Sequence, residues 1–284
     1  MRRIGHVGTL DPLATGVLPL VVGRATRLAS LLSEGDKVYW SVIRLGIVTD
    51  TYDVTGEAAT NSLRRGGGAQ VTIDAVEAIR SSFVGTFSQV PPPYSAKKIG
   101  GVRAYRLARR REPVAPKPVE VTVRRFEIGE LADDRLSCRI TCTPGFYVRS
   151  LAHDFGQALG CGGCLEQLRR ERSGAFALEP AVTMDQLERD HDTAIQHLIP
   201  IADLLPDLPR VVVTDRGARL AAHGNPLTQT EFESASGALS TSVDTPLSAG
   251  AFSSAIKVYD RRGALLAVAE GRTAGVLHPR IVLV

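Results

Sequence analysis

The residues near the start of the chain that could do chemistry lie in the stretch Gly5-His6-Val7-Gly8-Thr9-Leu10-Asp11-Pro12-Leu13-Ala14-Thr15-Gly16-Val17-Leu18. Its glycines and proline prevent a regular helix or central strand, so Asp11 is predicted on a tight loop. The apolar run that follows, residues 16–23, is predicted to form a buried strand. A carboxylate held on a rigid loop against a core strand can act as a nucleophile or general base. The alternative is that Asp11 caps a helix or turn.

The composition is that of a folded chain with a modest excess of positive charge. Its 284 residues are 44% hydrophobic, which is enough for one large domain or two with a real core. The net charge of +4 and the pI near 9.0 indicate polyanionic partners. The first residues have no apolar signal-peptide core, and no apolar run of about 18 residues occurs. We therefore expect a cytoplasmic protein without membrane contact.

The four cysteines have a spacing that could hold a metal. Cys161 and Cys164 match half a zinc site or a redox pair, and Cys138 and Cys142 could supply the other half. However, Cys138 and Cys142 share one face of an alternating segment, where they are predicted to be small core hydrophobes. We expect no metal.

Patterns of apolar residues predict mixed strands and helices without a βαβ rhythm. Thr72 is predicted to cap the first of these helices. The elements favour an α+β fold with a mixed, largely antiparallel sheet. Strands are predicted at residues 37–45, 119–126, 135–143 and 145–151, and helices at 72–83, 152–159 and 165–172.

The C-terminal part is predicted to be a separate, small β-rich domain. A proline-rich linker is predicted at residues 199–209. The pattern then predicts a short strand at 211–213, a helix at 215–222, a mobile loop over 228–252 and a hairpin over 255–269. The sequence therefore divides into residues 1–204 and 210–284.

A basic segment lies in the middle of the chain. Residues 90–111 contain seven lysines and arginines, two tyrosines and no acidic residue. Such charges would repel one another unless a polyanion meets them, and aromatic side chains among them can stack on bases or ribose. We predict contact with RNA, and the alternative is a solvated basic face. The basic residues are Lys97, Lys98, Arg103, Arg106, Arg109, Arg110 and Arg111. A flexible surface loop is predicted at residues 64–68.

The stretch around Asp11 closely resembles the signature of the TruB family of pseudouridine synthases, Gly-His-x-Gly-x-Leu-Asp-Pro-x-Ala-x-Gly-Val-Leu. Three further blocks resemble the family in the same order, and the four together cover residues 5–174. They are Asp36-Lys37-x-Tyr39 with Arg44-Leu45-Gly46 and Thr49-Asp50-Thr51-x-Asp53; Gln89-x-Pro91-Pro92-x-Tyr94-Ser95-Ala96-x-Lys98 with Gly100, Tyr105 and Ala108-Arg109; and Gly145-x-Tyr147-x-Arg149-Ser150-Leu151 with Asp154-x-Gly156, Leu159-Gly160-Cys161-Gly162 and Leu168-Arg169-Arg170.

The resemblance implies an isomerase that converts uridine 55 in the T arm of tRNA to pseudouridine. It implies a pseudouridine-synthase catalytic domain over residues 1–204, with an RNA-binding insert at about 88–115. Residues 210–284 loosely resemble a PUA-like RNA-binding domain. The expected partner is tRNA, and the expected state is a monomer that requires no cofactor, metal or protein partner.

The resemblance also implies roles for individual residues. Asp11 would be the nucleophile, Arg149 its partner and Tyr39 the aromatic residue that stacks on the target base. Tyr147 and Arg149 are expected to share one strand face, and Arg149 is expected to fix the rotamer of Asp11. The matching substrate-binding and RNA-binding positions are His6, Tyr147, Leu168, Lys98, Arg109 and Arg110.

Several mechanisms and rival functions are compatible with the sequence. Asp11 could attack C1′ of the ribose, add to C6 of uracil or remove a ribose proton. The target base must leave its folded arm, at a cost of a few kcal/mol, and His6 is expected to fill the gap. One rival is a non-catalytic tRNA-binding or folding factor, which would not require Asp11 or Arg149. Another is a guide-RNA-dependent relative, which the block from Tyr94 to Lys98 disfavours.

Members of the family usually carry a longer segment before the Gly-His block, with a Leu-x-x-x-Lys-Pro-x-Gly-x-Thr-Ser motif. This sequence begins four residues before Gly5. Two explanations are a start codon assigned too late and a truncation that impairs catalysis. We favour the first, and in-frame upstream codons that encode the motif would distinguish the two.

Overall fold

The structure, a computed structural model, describes residues 3–59, 71–95, 97–110, 116–236, 255–272 and 275–284. The chain forms two compact units. The Asp11 unit contains residues 8–18 and 34–180, and the C-terminal unit contains residues 1–7, 19–33 and 181–284. The boundaries of these units differ from the predicted division near residues 204–210, because residues 181–209 and two early segments cluster with the C-terminal strands.

Sixteen strands and seven α-helices make up the described fold. The strands are β1 (Ile4–His6), β2 (Thr15–Gly16), β3 (Leu20–Val22), β4 (Lys37–Leu45), β5 (Gly85–Gln89), β6 (Lys98–Ile99), β7 (Val102–Arg103), β8 (Val119–Ala132), β9 (Arg135–Cys142), β10 (Gly163–Ser173), β11 (Phe176–Ala177), β12 (Arg210–Val213), β13 (Phe232–Ser236), β14 (Ala255–Tyr259), β15 (Leu265–Arg272) and β16 (Val276–Val282). The helices are α1 (Ala29–Leu32), α2 (Ile73–Arg80), α3 (Ala104–Arg109), α4 (Val148–Ala158), α5 (Met184–Arg189), α6 (His191–Gln196) and α7 (Asp215–Ala222). None of the helices in the described part of the chain is long and apolar enough to cross a membrane.

A seven-stranded sheet organises the Asp11 unit. Its strand order is β11-β10-β4-β9-β8-β5, and β2 pairs with β10. The β2–β10 pair is parallel, and the other pairs are antiparallel. Side chains of a strand alternate between faces, and on β9 one face is buried along its whole length, at Leu136, Cys138, Ile140 and Cys142. The predicted α+β class with a mixed, largely antiparallel sheet is confirmed.

Helix α4 covers the buried face of this sheet. Leu151, Ala152 and Phe155 are almost fully buried, and they recur at the spacing of one helix face. The Phe155 ring meets the Phe126 ring edge-on, with 5.4 Å between centroids. The helix therefore has a fixed position on the sheet, and so does its first turn.

The predicted strand over residues 145–151 is wrong. The backbone of Tyr147 is extended, but α4 starts at Val148. The apolar residues of 145–151 fit alternation, but Val148, Leu151 and Phe155 also fit the helical period, and burial on the sheet selects the helix. Tyr147 and Arg149 therefore do not share a strand face; they are the cap and the second residue of a helix.

The predicted basic helix over residues 165–172 is also wrong, because these residues belong to strand β10. The strand pairs with β4 in an antiparallel ladder that shifts register between Leu165 and Gln167 and again between Arg170 and Arg172. Each bulge adds a residue and breaks the alternation of buried and exposed side chains. The residues of β10 consequently do not show the two-residue alternation that identifies a strand from sequence.

Residues 16–23 do not form the single buried strand that was predicted. Gly16 ends β2, and β3 begins only at Leu20, after Pro19, which has no N–H to donate to a ladder. Leu20 and Val22 are 57% and 40% exposed. The run is therefore two short strands that belong to different units.

Other predicted elements of the Asp11 unit are confirmed. Strand β4 spans 37–45 as predicted, and β8 and β9 pair as an antiparallel hairpin. Helix α2 begins after Thr72, whose hydroxyl accepts a hydrogen bond from the Ala75 N–H. The predicted loop at 64–68 lies outside the described residues.

The C-terminal unit contains a five-stranded sheet with the order β13-β12-β14-β15-β16. The predicted strand at 211–213, helix at 215–222 and hairpin at 255–269 are confirmed by β12, α7 and the β14–β15 pair. The predicted mobile loop is wrong for residues 229–236, which form a 3₁₀ turn and β13, and residues 237–252 lie outside the described residues.

The predicted linker at residues 199–209 is held against the C-terminal sheet. The Tyr259 hydroxyl donates to the Ala202 carbonyl at 2.6 Å, and the buried Lys257 ammonium donates to the Leu204 carbonyl at 3.4 Å. Because β14 supplies both side chains, this segment is part of the C-terminal unit and not a free connection.

Candidate active site

Asp11 lies on the loop that precedes β2. The Ala14 N–H donates to the Asp11 carbonyl at 2.9 Å, which closes a tight turn. The Asp11 side chain is 28% exposed. The carboxylate is therefore fixed at its backbone and remains open on one side.

Arg149 holds both oxygens of that carboxylate from the first turn of α4. Its Nε donates to Oδ2 of Asp11 at 2.9 Å, and its Nη2 donates to Oδ1 at 2.7 Å. Two parallel charge-assisted bonds fix the orientation of a carboxylate as well as its position. The guanidinium also donates to the Thr51 carbonyl at 3.1 Å and to the Tyr94 carbonyl at 3.0 Å. The structure thus brings together residues from all four sequence blocks.

A second carboxylate faces the same guanidinium. Asp53 is buried, and its Oδ2 lies 3.6 Å from Nη1 of Arg149. Its other oxygen accepts hydrogen bonds from the Thr51 hydroxyl and from both the N–H and the hydroxyl of Thr55. Because these bonds lock Asp53 in place, Arg149 lies between one fixed, buried carboxylate and one partly open carboxylate.

An unusual backbone conformation shapes the turn that carries Thr51 and Asp53. Tyr52 between them has φ of +63°, a left-handed conformation that is rare for an aromatic residue. Its ring stacks on His153 of α4, with 3.9 Å between centroids and 9° between planes. Burial lowers the pKa of His153, which favours the neutral ring. The stack therefore fastens this turn to the helix that carries Arg149.

The start of α4 is clamped by the end of β5. The Gln89 side chain donates to the Tyr147 carbonyl at 3.0 Å and accepts from the Tyr147 N–H at 2.9 Å. The Ser150 hydroxyl donates to the Val90 carbonyl at 2.7 Å. No side chain caps this helix, so these bonds define where it begins. Burial raises the pKa of Tyr147, and the charges of Arg149 and Asp11 both reach its hydroxyl.

Tyr39 lies on β4 directly opposite Arg170 of β10. Burial raises the pKa of Tyr39 to about 12, although the neighbouring Arg170 guanidinium acts in the opposite direction. The side chain is therefore a neutral phenol at physiological pH, and the charge of Asp11 also reaches it. Tyr39, Asp11, Tyr147 and Arg149 form one cluster.

Leu168 and His6 differ in their placement. Leu168 is 5% exposed in the core of the Asp11 unit, and its carbonyl accepts a hydrogen bond from the Thr15 hydroxyl at 3.4 Å. His6 is exposed on β1 of the C-terminal unit. Its role stays a prediction.

The basic segment forms a small hairpin and a helix. Lys98 of β6 pairs with Arg103 of β7, and Arg109 is the last residue of α3. Arg110, which follows, is exposed. The buried Ala104 N–H donates to the Lys97 carbonyl, which ties the helix to the hairpin. Arg111 lies outside the described residues.

The cysteines that could have formed a metal site are separate. Cys138 and Cys142 are buried in the core, as predicted, and burial raises the pKa of each thiol to about 12. Within the described ranges, no three side chains of histidine, cysteine, aspartate or glutamate cluster in a way that could hold a metal ion. The site around Asp11 is built from carboxylates, arginines and tyrosines.

Two residues of this site were not among the predicted site residues. Asp53 and Arg170 both lie in blocks that resemble the family, but no role was assigned to either residue. Arg170 is 1% exposed and donates to the carbonyls of Gly8, Thr9 and Val17. The signal that could have found it is its position two residues after Leu168 in the fourth block.

Comparison with known proteins gives a consistent result. The family model for the N-terminal domain of the TruB family pseudouridylate synthases matches residues 1–148, and the model for the tRNA pseudouridylate synthase B C-terminal domain matches residues 149–205. The tRNA pseudouridine synthase B of Solibacter usitatus is 37% identical over 99% of this chain and 90% of its own length. That of Nitrosospira multiformis is 35% identical over 98% of this chain and 86% of its own length.

Solved structures share the fold at low sequence identity. A chain of a Cbf5-Nop10-Gar1 complex superposes with a TM-score of 0.69 at 21% identity, over 99% of this chain and 77% of that one. A chain of an H/ACA RNP bound to a substrate RNA containing 2′-deoxyuridine gives a TM-score of 0.68 at 21% identity, over 99% and 76% of the two chains. Together with the family models and the curated relatives, the geometry around Asp11 leads to one conclusion: the chain belongs to the TruB family of pseudouridylate synthases.

Proposed function

We propose that this protein isomerises uridine 55 in the T arm of tRNA to pseudouridine, with Asp11 as the nucleophile and the target base flipped out of the arm. The observation that carries the proposal is the bidentate pair between Asp11 and Arg149, because it presents an oriented, partly open carboxylate. The names of the relatives from Solibacter and Nitrosospira support tRNA as the substrate.

The chemistry requires little beyond a positioned carboxylate. The bond between N1 of uracil and C1′ of the ribose breaks, the base turns, and a bond between C5 and C1′ forms. The proton on C5 is lost and N1 gains one, so the reaction needs no redox partner or energy donor. Because one guanidinium holds both oxygens of Asp11, the carboxylate meets the substrate in a single orientation.

The surrounding side chains have matching tasks in this proposal. Tyr39, a neutral phenol with a pKa of about 12, stacks on the flipped base and can donate a hydrogen bond to it. Tyr147 and Leu168 form walls around the base. Flipping costs a few kcal/mol, which stacking and pocket contacts offset, and His6 fills the gap left in the arm.

The protein acts as a monomer on tRNA, and two regions provide further contacts. In the insert at about 88–115, the positive charges of Lys98, Arg109 and Arg110 meet the phosphate backbone. Residues 210–284 act as a PUA-like RNA-binding domain. Both regions contribute binding and carry no reacting group.

The test is pseudouridine mapping on an unmodified tRNA transcript incubated with the protein alone. The wild-type protein should modify uridine 55, and a transcript with cytidine at that position should stay unmodified. The Asp11→Asn variant should lose at least about 10³-fold in rate, because the nucleophile is gone. Its affinity for tRNA should stay within about threefold, because Arg149 keeps Asp53 and two carbonyls as partners.

The matched control is Asp50→Asn, which changes an exposed carboxylate of a nearby turn. It should modify tRNA at the wild-type rate. Wild-type turnover by Asp11→Asn would remove Asp11 from the mechanism. Tight tRNA binding by the wild-type protein without any pseudouridine would instead support a non-catalytic folding factor.

A further inference from the structure

We propose that Arg170 is a positioning residue for the reaction at Asp11, because its guanidinium fixes the backbone on both sides of that carboxylate. The proposal rests on the proposed function, since it concerns the same nucleophile. Arg170 lies on β10 and Arg149 lies on α4, so the two guanidinium groups hold the loop from different elements.

The contacts of Arg170 enclose the Asp11 loop. On the side before Asp11, its Nη2 donates to the Gly8 carbonyl at 2.9 Å and its Nη1 reaches the Thr9 carbonyl at 3.4 Å. On the side after Asp11, its Nε donates to the Val17 carbonyl at 2.9 Å. One planar group therefore sets the separation between the two ends of the loop.

The backbone of Arg170 reinforces this arrangement. Its carbonyl accepts from the Val17 N–H at 2.9 Å, and Gly16 pairs with Arg170 in the parallel β2–β10 ladder. A side chain on Gly16 would overlap the Arg170 carbonyl, and Gly16 also has φ of +99°. A Cβ on Gly8, where φ is +74°, would lie 3.2 Å from Nη1 of Arg170. Gly8 and Gly16 of the first block therefore leave the space that Arg170 occupies.

The partners of Arg170 are unusual for a buried charge. Its side chain is 1% exposed, and in the described part of the chain it makes no ion pair with a carboxylate. Burying a charge is costly, and an apolar side chain of similar size would often stabilise a fold as well or better. The three carbonyls use the directed donors of the guanidinium, which an apolar side chain cannot replace. The three hydrogen bonds therefore fix the distances between these backbone carbonyls.

Arg170 also connects the loop to Tyr39. The two residues face each other directly across β10 and β4, and Gly16 lies on the other side of Arg170. A shift of the guanidinium would consequently move Asp11 and the hydroxyl environment of Tyr39 together. A misplacement of about 1 Å at a reacting group can cost about 10²-fold in rate.

The experiment compares Arg170→Lys and Arg170→Met with the matched variant Arg172→Met, which removes an exposed arginine of the same strand. We expect Arg170→Met to lower kcat by about 100-fold and Arg170→Lys by about 10-fold, with KM for tRNA within about threefold. The ζ-carbon resonance of Tyr39 in protein labelled with [¹³C]tyrosine, assigned with Tyr39→Phe, should shift in both. Arg172→Met should change neither kcat nor the resonance.

Gly8→Ala keeps the fold testable if loss of Arg170 prevents folding. It leaves the arginine in place but strains the left-handed backbone at residue 8 and sets a Cβ 3.2 Å from the guanidinium, so kcat should fall while KM stays constant. Wild-type kcat in Arg170→Lys and Gly8→Ala would overturn the proposal. Equal losses in kcat and in affinity, together with a lower melting temperature, would also overturn it, because they indicate a purely structural role.

The two proposals fail in different ways. If Asp11→Asn is active, the proposed function fails whatever the Arg170 variants do. If Asp11→Asn is inactive and the Arg170 variants have wild-type kcat and an unshifted Tyr39 resonance, only the positioning role fails.

Discussion

Two buried arginines hold the loop that carries Asp11, and they differ in what they bind. Arg149 comes from the first turn of a helix. It donates to the Asp11 carboxylate and to two carbonyls, and it forms an ion pair with the Asp53 carboxylate. Arg170 comes from the middle of a strand and donates to three carbonyls, and among the described residues it pairs with no carboxylate. One arginine thus orients the side chain of Asp11, and the other arginine orients its backbone.

The difference shows that the same side chain can serve two purposes within one site. A guanidinium opposite a carboxylate matches both its charge and its fork geometry, so the partner anion is part of the function. A guanidinium opposite carbonyls has no carboxylate as a partner, so it contributes directed hydrogen bonds but no ion pair. Lysine variants keep the positive charge but lose the fork. They should therefore lower the rate at Arg149 and Arg170 but not at an arginine of a surface ion pair.

Arg149→Lys should have the largest effect on this comparison. A lysine keeps the charge but cannot hold both oxygens of Asp11 and two carbonyls at once. We expect product formation to fall by about 10²–10³-fold, with tRNA affinity within about threefold. Single-turnover pseudouridine formation and filter binding measure the two quantities.

A surface pair provides the control for Arg149→Lys. Arg135 donates to Glu166, but its side chain is 46% exposed. Such pairs contribute about 0–1 kcal/mol, so Arg135→Lys should leave the rate unchanged. If Arg149→Lys were as active as Arg135→Lys, the fork at Asp11 would have no functional meaning.

Asp53→Asn should have an intermediate effect. It keeps the shape of the side chain but removes the second charge from Arg149, which makes Arg149 more like Arg170. We expect a rate loss of about tenfold and a decrease of about 1–3 kcal/mol in the free energy of unfolding, because Asp53 accepts three hydrogen bonds as an anion. Urea denaturation and initial rates measure these effects.

Asp50→Asn again controls for a change of charge in the same region. Its carboxylate is exposed and accepts one bond, from the Glu57 N–H. An Asp53→Asn protein with wild-type stability and rate would show that Arg149 depends on Asp11 alone.

His153→Phe should have the smallest effect and concerns the turn that carries Thr51 and Asp53. Burial lowers the pKa of His153 below its ordinary 6.5, so the unfolded chain binds the proton more readily. The stability from the neutral ring is complete above about pH 6.5 and is lost as the pH falls towards the lower folded pKa. Phenylalanine keeps the stack on Tyr52 and cannot take up a proton.

The melting temperature of His153→Phe should therefore fall less than that of the wild type between about pH 7.5 and 5.5. At neutral pH the variant should be at least as stable, because Nδ1 of His153 is buried without a hydrogen-bond partner in the described structure. The exposed His197 gives the control, since His197→Phe should leave the pH dependence unchanged. An unaltered pH dependence in His153→Phe would contradict the burial argument.

Much of the fold followed from local patterns. The alternation of β4, the cap at Thr72 and the hairpin of β14 and β15 were predicted because each is determined by residues close in sequence. Helix α4 and strand β10 were mispredicted from local patterns. Packing on the sheet determined the helix, and the bulged pairing of β10 with β4 determined the strand. Local propensity gives way to tertiary contacts in such segments.

The site was predictable only where side chains meet side chains. The resemblance named Asp11 and Arg149, which the structure brings together. It did not single out Arg170 or Gln89, because both bind backbone carbonyls or amides, and any residue type can supply those. A contact to the main chain leaves no partner residue in the sequence, so only coordinates reveal it.

The parallel pairing of β2 with β10 has a consequence for when the Asp11 loop can fold during protein synthesis. The bonds that shape the Asp11 loop span 153 and 162 positions of the chain, and the Arg149 bond spans 138. At about 5–20 residues per second, the loop waits roughly eight to thirty seconds for strand β10 to be synthesised. Asp11 is thus synthesised well before the strand that fixes its loop, so the geometry of the loop is assembled late. During that interval, a nascent chain carries Asp11 without the Arg170 contacts that hold its backbone.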